Sequence, residues 1–125
     1  MNKKREVIIF GRELNENEWN GGTKSFESLN LYQINQLLEI GALDLEDTQN
    51  NAPSVGKIIE FIKKNPRFVA HGYVVSESRP DCRISFEGVK LEGLSTEEEK
   101  KAFIEVFRHA DDLEFDNNFL YAWYD

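Results

Sequence analysis

Residues 71–88, HGYVVSESRPDCRISFEG, bring together a histidine, the chain's single cysteine, three serines, three acids and two arginines. A thiol beside a histidine, or a serine beside a histidine and an acid, is the makings of covalent catalysis. Whether these residues can act together depends on how the segment folds. Pro80 presets its own dihedral at the second position of a turn and Asp81 tolerates the third, so Ser78 to Asp81 reads as the loop of a β-hairpin. That register pairs Glu77 with Cys82, Val75 with Ile84, Tyr73 with Phe86 and His71 with Gly88, and sets Ser76, Arg83, Ser85 and Glu87 on the other face. His71 and Cys82 then lie about 20 Å apart at ~3.3 Å per residue, far beyond the ~3 Å that a nucleophile and its base require. The other histidine, His109, belongs to a later helix, and nothing prepares the thiol for it. The segment therefore reads as a hairpin with His71 packed opposite a glycine that leaves it room, and no catalytic residue is assigned.

The second concentration of functional side chains is the C-terminal stretch DDLEFDNNFLYAWYD. Asn117-Asn118 suits a two-residue turn that needs positive φ at both positions. Leu113, Phe115, Leu120, Ala122 and Tyr124 then share one face, and Asp112, Glu114 and Asp116 lie across from Trp123, Tyr121 and Phe119 on the other. Parity is the argument: a core that takes Leu120 and Ala122 must turn Tyr121 and Trp123 away. Three readings compete for that outer face. Its aromatics are covered by another element, as in central strands that are apolar on both sides. Or they are anchors for a protein partner, flanked by acids. Or the three carboxylates hold a divalent metal, a reading that lacks the histidine or cysteine that would sharpen it. The expected partner-binding set is Glu114, Asp116, Phe119, Tyr121 and Trp123, with no metal or cofactor.

The elements that position these hairpins are well punctuated. Asn30 and Gln33 form a capping box for a helix whose Leu31, Ile34, Leu37 and Leu38 keep the three-to-four spacing of one buried face, with Leu29 placed to staple onto Ile34 and Gly41 to stop it. Ser54 caps a second helix through Val55, Ile58, Ile59 and Ile62, and Ser95 with Glu98 opens a third that buries Phe103, Val106, Phe107 and Ala110. The β-branched and aromatic run Val7 to Phe10 reads as a short buried strand, and NENEWNGGTKS after it as a polar loop. Asp44, Glu46 and Asp47 form an acidic loop without the glycine and spaced ligands of a calcium site. The expectation is one α+β domain over residues 1–125: a mainly antiparallel sheet of four or five strands, made of two hairpins and an N-terminal strand, with three helices.

Composition bounds the function. At 125 residues, 40% hydrophobic, the chain has ample material for one core. The lone Cys82 excludes an internal disulfide and a cysteine-based zinc cluster, and fits a reducing compartment. The start MNKKREVIIFGRE is positive, but its apolar run is too short for export, and no later run approaches the roughly 20 residues of a membrane span. A cytoplasmic protein without a membrane partner is expected. The formal charge of −8 opposes phosphate backbones and favours a basic partner. Charge is uneven: residues 1–52 carry five bases and nine acids, residues 53–92 seven and five, and residues 93–125 three and nine.

In size, acidity and surface aromatics the chain resembles the small cytosolic immunity proteins with which bacteria neutralise basic toxin domains, a resemblance of character that rests on no motif. The leading expectation is a non-enzymatic binding protein, immunity-like or regulatory, that engages a basic protein through its C-terminal surface. The alternative is a nucleic-acid-associated regulator, in which two helices and a hairpin act as a winged helix with Lys57, Lys63, Lys64 and Arg67 as its basic face. An enzyme whose site is not readable from the sequence is the third. The charge balance decides against the second: duplex DNA should bind negligibly at physiological salt. A mobility-shift titration at micromolar protein checks this. Binding that weakens steeply with salt and disappears in Lys63→Ala/Lys64→Ala would reverse the order.

Overall fold

The computed structural model describes residues 3–125. The elements in chain order are α1 (Lys4–Phe10), β1 (Thr23–Leu29), α2 (Leu31–Glu39), α3 (Val55–Lys64), β2 (Val69–Val75), β3 (Arg83–Glu92), α4 (Glu97–Phe107), β4 (Asp112–Asp116) and β5 (Phe119–Trp123). The five strands form one sheet in the order β1-β2-β3-β5-β4, with every neighbouring pair antiparallel. Helices pack against one face and meet it in a continuous core that includes Ile34, Leu37, Ile58, Ile62, Phe68, Val74, Val89, Phe103, Phe107 and Leu120, all fully buried. This is the expected α+β arrangement, with four α-helices among the described residues instead of three. Among the described residues no helix is long and apolar enough to cross a membrane.

The extra helix is a correction. Val7 to Phe10, expected as a strand, forms the last turn of α1, which ends at Gly11 in the left-handed conformation (φ 81°) with its N–H bonded to the Val7 carbonyl. The buried residues of α1 are Arg5, Glu6 and Ile9, a helical spacing that two charged side chains conceal in the sequence. The first strand is instead Thr23–Leu29, part of which reads as loop. Only Phe26 and Leu29 point inward, because a bulge between them shifts the phase, so the alternation that marks a strand is broken.

The other helices form as their caps predict. Asn30 Oδ1 accepts from Gln33 N–H and Gln33 Oε1 from Asn30 N–H, both at 2.9 Å, and Gln33 Nε2 also donates to the Ile8 carbonyl at 3.0 Å, tying α1 to α2. Ser54 Oγ caps α3 through Lys57 N–H. For α4 the cap lies one residue later than expected: Thr96 and Glu99 make the capping box. Both frames of STEEE satisfy the pattern, and Glu99 also holds Arg67, from the turn before β2, with Arg67 Nε donating at 3.0 Å. Phe103 and Phe107 are buried as expected, whereas Val106 is 39% exposed.

The β2–β3 hairpin differs in register. Its loop is longer than four residues, so Val75 pairs with Arg83, Val74 with Ile84, Tyr73 with Ser85 and Gly72 with Phe86; a bulge then restores the expected His71–Gly88 pair. A one-residue slip exchanges faces. Val74, Ile84 and Phe86 take the core side, and Tyr73 and Val75 move to the outer side with Arg83 and Ser85.

Two glycines make the close approach of strands possible at this bulge. A Cβ on Gly72 would stand 1.9 Å from the Ser85 carbonyl oxygen, and one on Gly88 would stand 1.8 Å from that of Ala122 and 3.0 Å from His71 Cε1. These obstacles are backbone and cannot swing away. Gly88→Ala should therefore destabilise the fold by about 3 kcal/mol or more, read as the shift of the urea unfolding midpoint. A loss below about 1 kcal/mol would show that β3 and β5 separate freely.

Candidate functional site

The C-terminal hairpin has the expected register: Asp112 pairs with Trp123, Leu113 with Ala122, Glu114 with Tyr121, Phe115 with Leu120 and Asp116 with Phe119. The turn reaches it differently. Among the described residues Asn50 is the only non-glycine with positive φ, so Asn117 and Asn118 do not adopt the mirror-image turn. Asp116 Oδ1 instead accepts from Asn118 N–H at 2.8 Å, and the Asn117 and Asn118 carbonyls accept from Ser95 and Gly93 N–H. The loop before α4 thus supports the turn.

Leu120 and Ala122 are fully buried on the helix side, and Phe119, Tyr121 and Trp123 lie half-buried on the face that the helices leave open. Asp112, Glu114 and Asp116, on the edge strand β4, are exposed. Phe115 shares the inner parity yet is 48% exposed, since β4 is the outermost strand. Strand order adds a residue that local reading assigns to packing alone. β3 lies between β2 and β5, and Gly88 carries no side chain, so His71 crosses over it to β5. His71 Nε2 lies 2.9 Å from the Ala122 carbonyl oxygen; a carbonyl only accepts, so Nε2 carries the proton. The imidazole stacks on Tyr121 (centroids 5.0 Å, planes 12° apart), and Tyr121 stacks in turn near Phe119 (5.8 Å, 16°). The result is a three-ring ladder across the open face.

Carboxylates surround the ladder. Burial pushes the Tyr121 phenol above its ordinary range, and Asp112, Glu27, Glu87 and Glu114 push it the same way. Burial likewise raises Glu87, with the Trp123 indole acting against it. Glu27 and Glu87 come from β1 and β3, too far in sequence from the C-terminal hairpin for any local pattern to connect them. The other half of the open face is a depression of about 330 Å³ whose lining includes Tyr73, Arg79, Arg83 and Glu87. Its cations are already engaged: Arg83 bonds Ser85 Oγ at 2.9 Å, the Tyr73 hydroxyl at 3.0 Å and Asp81 Oδ2 at 3.1 Å, and Arg79 bonds Asp81 through two nitrogens. Tyr73 in turn donates to Gln49 Oε1 at 2.9 Å, so the acidic loop before α3 folds round the end of the sheet.

The remaining candidates do not assemble. Cys82 is exposed in the hairpin loop, and His109 is exposed beyond α4. Arg67 is clasped by Glu99, Lys64 lies 3.6 Å from Glu60, and the groove that Lys57 and Lys64 line also carries Glu60 and Glu105. Among the described residues no three His, Cys, Asp or Glu side chains converge as metal ligands, including Asp44, Glu46 and Asp47 and the three acids of β4. Compared with known proteins, the chain matches no family model, no curated protein and no solved structure.

His71 makes the site pH-sensitive. Burial holds its pKa below the ordinary value; the Ala122 carbonyl and Glu27 oppose that and Lys90 reinforces it. An unfolded histidine, near ~6.5, binds a proton more readily than the folded one. Stability is therefore full above about 6.5 and is lost as pH falls through that value. Glu87, raised in the fold, works in the opposite sense: its contribution is present below about 4.3 and lost as pH rises above it, against the slope set by His71. Thermal unfolding should show a lower Tm at pH ~5.5 than at ~7.5, and His71→Gln, which keeps an N–H for Ala122, should flatten that slope. Parallel slopes in the two proteins would assign the pH dependence elsewhere.

Proposed function

We propose that the protein is a small, acidic, non-enzymatic binding protein that engages a basic protein partner through the open face of its sheet. Glu114, Asp116, Phe119, Tyr121 and Trp123 form the centre of that surface, Glu27, Glu87 and Asp112 extend it, and the buried His71 supports Tyr121 from beneath. The observation that carries this reading is the ladder His71–Tyr121–Phe119 on the uncovered face, ringed by carboxylates from three strands. Stacked rings offer a large, rigid contact area at low entropic cost, the character of interface anchors. The acids around them would steer a basic partner and suppress acidic ones. The cytoplasmic, immunity-like or regulatory role expected from the sequence is compatible with such a surface and belongs to the same proposal.

The test separates anchoring from folding. Exposed Glu114→Lys and Asp116→Lys should change stability by no more than about 0.5 kcal/mol, yet slow association with a basic partner captured from the native cell and reduce its salt dependence. Tyr121→Ala should weaken binding by about 2 kcal/mol, or ~30-fold. If both sets of variants retain the partner unchanged, or if Tyr121→Ala acts only by unfolding the protein, the open face is not the binding surface.

A further inference from the structure

A second concavity, of about 430 Å³, opens where α1, the segment from Leu14 to Trp19 and the residues following β2 meet. It shares no residue with the ring ladder. Glu6, Glu16 and Glu77 place three carboxylates in its lining, Trp19 supplies an aromatic wall, and among the described residues Lys3 is the lining's one cation.

Glu6 is the decisive side chain, being only 2% exposed. A carboxylate this deeply buried is costly unless its oxygens are satisfied. Oε1 accepts from Leu14 N–H at 2.8 Å. Among the described residues Oε2 faces only the Lys3 ammonium, at 3.7 Å, beyond hydrogen-bond length, and the Lys3 side chain is itself 53% exposed. Across the pocket Glu77 Oε1 is buried without a hydrogen bond, as is Arg5 Nε, 3.9 Å from it. Arg5 cannot close that gap freely, because its Nη2 is bonded to the Val75 carbonyl at 2.8 Å. The pocket thus presents Glu6 Oε2, faced only by Lys3, and the part-exposed Glu77 carboxylate, whose buried Oε1 lies beside Arg5 Nε, next to an indole. An anion would add repulsion to a lining of three carboxylates, which Lys3 and the Arg5 behind Glu77 offset only in part. A cation with N–H donors and a flat or alkyl body would satisfy the acceptors and lie against the aromatic wall. The acids do not converge in a way that holds a metal ion.

We propose that this pocket binds an organic cation, an alkylammonium or guanidinium group, with Glu6 and Glu77 as its acceptors, Trp19 as its wall, and Lys3 as a tethered stand-in that the ligand displaces.

The test is an NMR titration of the whole chain with ethylguanidinium, with butylammonium and with butanol as a neutral control, following the two tryptophan indole N–H signals; Trp19→Phe assigns them. The Trp19 signal should shift saturably with either cation, at a Kd of about 1 mM for so few atoms, and not with butanol. Glu77→Gln and Glu6→Gln should each weaken binding about tenfold. Glu6→Gln keeps an acceptor for Leu14, and should it fail to fold, Glu77→Gln carries the test alone. Lys3→Ala should tighten binding about threefold by removing the competitor, whereas a pocket built for anions would lose affinity. Blocked arginine, N-acetylated and amidated, distinguishes the source. Binding like that of ethylguanidinium marks a pocket open to a partner's side chain, and exclusion marks one for a free small molecule; either upholds a cation site. No saturable shift at about 20 mM, an equal response to butanol, or weaker binding in Lys3→Ala would overturn the proposal.

Discussion

A five-stranded sheet covered by helices on one face must send its core residues to a single side and make the other side tolerable to water. That one-sidedness organises the rest of the molecule. It places Val74, Ile84, Phe86, Val89, Leu91, Leu120 and Ala122 under the helices, all buried, and consigns every residue of opposite parity to the open face. There the strands carry serines, charged groups and aromatic rings. The rings are the exception that needs support, and they obtain it from one another: His71, Tyr121 and Phe119 stack, each sheltering part of the next. Gly88 is the condition for this, because any side chain at that position would meet the Ala122 carbonyl and the imidazole that crosses to it.

The parts of the fold legible in the sequence are those encoded by neighbours. Asn30 and Gln33 specify a helix start through contacts within four residues, and Asn117-Asn118 between two alternating runs specify a register even though the turn takes another conformation. Where the reading fails, the controlling contact is distant or the signal is shared. Val7 to Phe10 is strand-like on its own composition; it becomes helix because Arg5 and Glu6 are buried beside Ile9, and charged residues do not announce burial. Thr23–Leu29 hides because its bulge leaves Phe26 and Leu29 three apart. The β2–β3 slip follows from a loop longer than Pro80 and Asp81 alone imply, and the bulge that corrects it answers to the packing of Gly72 and Gly88 against adjacent strands.

The same distinction holds for the candidate surface. Parity alone places Phe119, Tyr121 and Trp123 opposite the core, and the structure leaves them half-buried on that side. It is strand order that brings His71, Glu27 and Glu87 to them, and strand order is a long-range property. The pocket beneath α1 was illegible for a similar reason: its carboxylates come from a helix read as a strand, from a loop and from a hairpin end.

The exposed acids of β4 also bear on how copies of this chain behave when crowded together. β4 is an edge strand with one side of its backbone unpaired, and such an edge is a template for another strand. A second β4 docking antiparallel at the centre of this edge would set Glu114 against its own copy and Asp112 against Asp116, like charge opposite like charge on the open face, while Leu113 would meet Phe115 on the other. The alternation that turns three acids of β4 to the open face therefore also places a charge penalty on strand pairing at that edge.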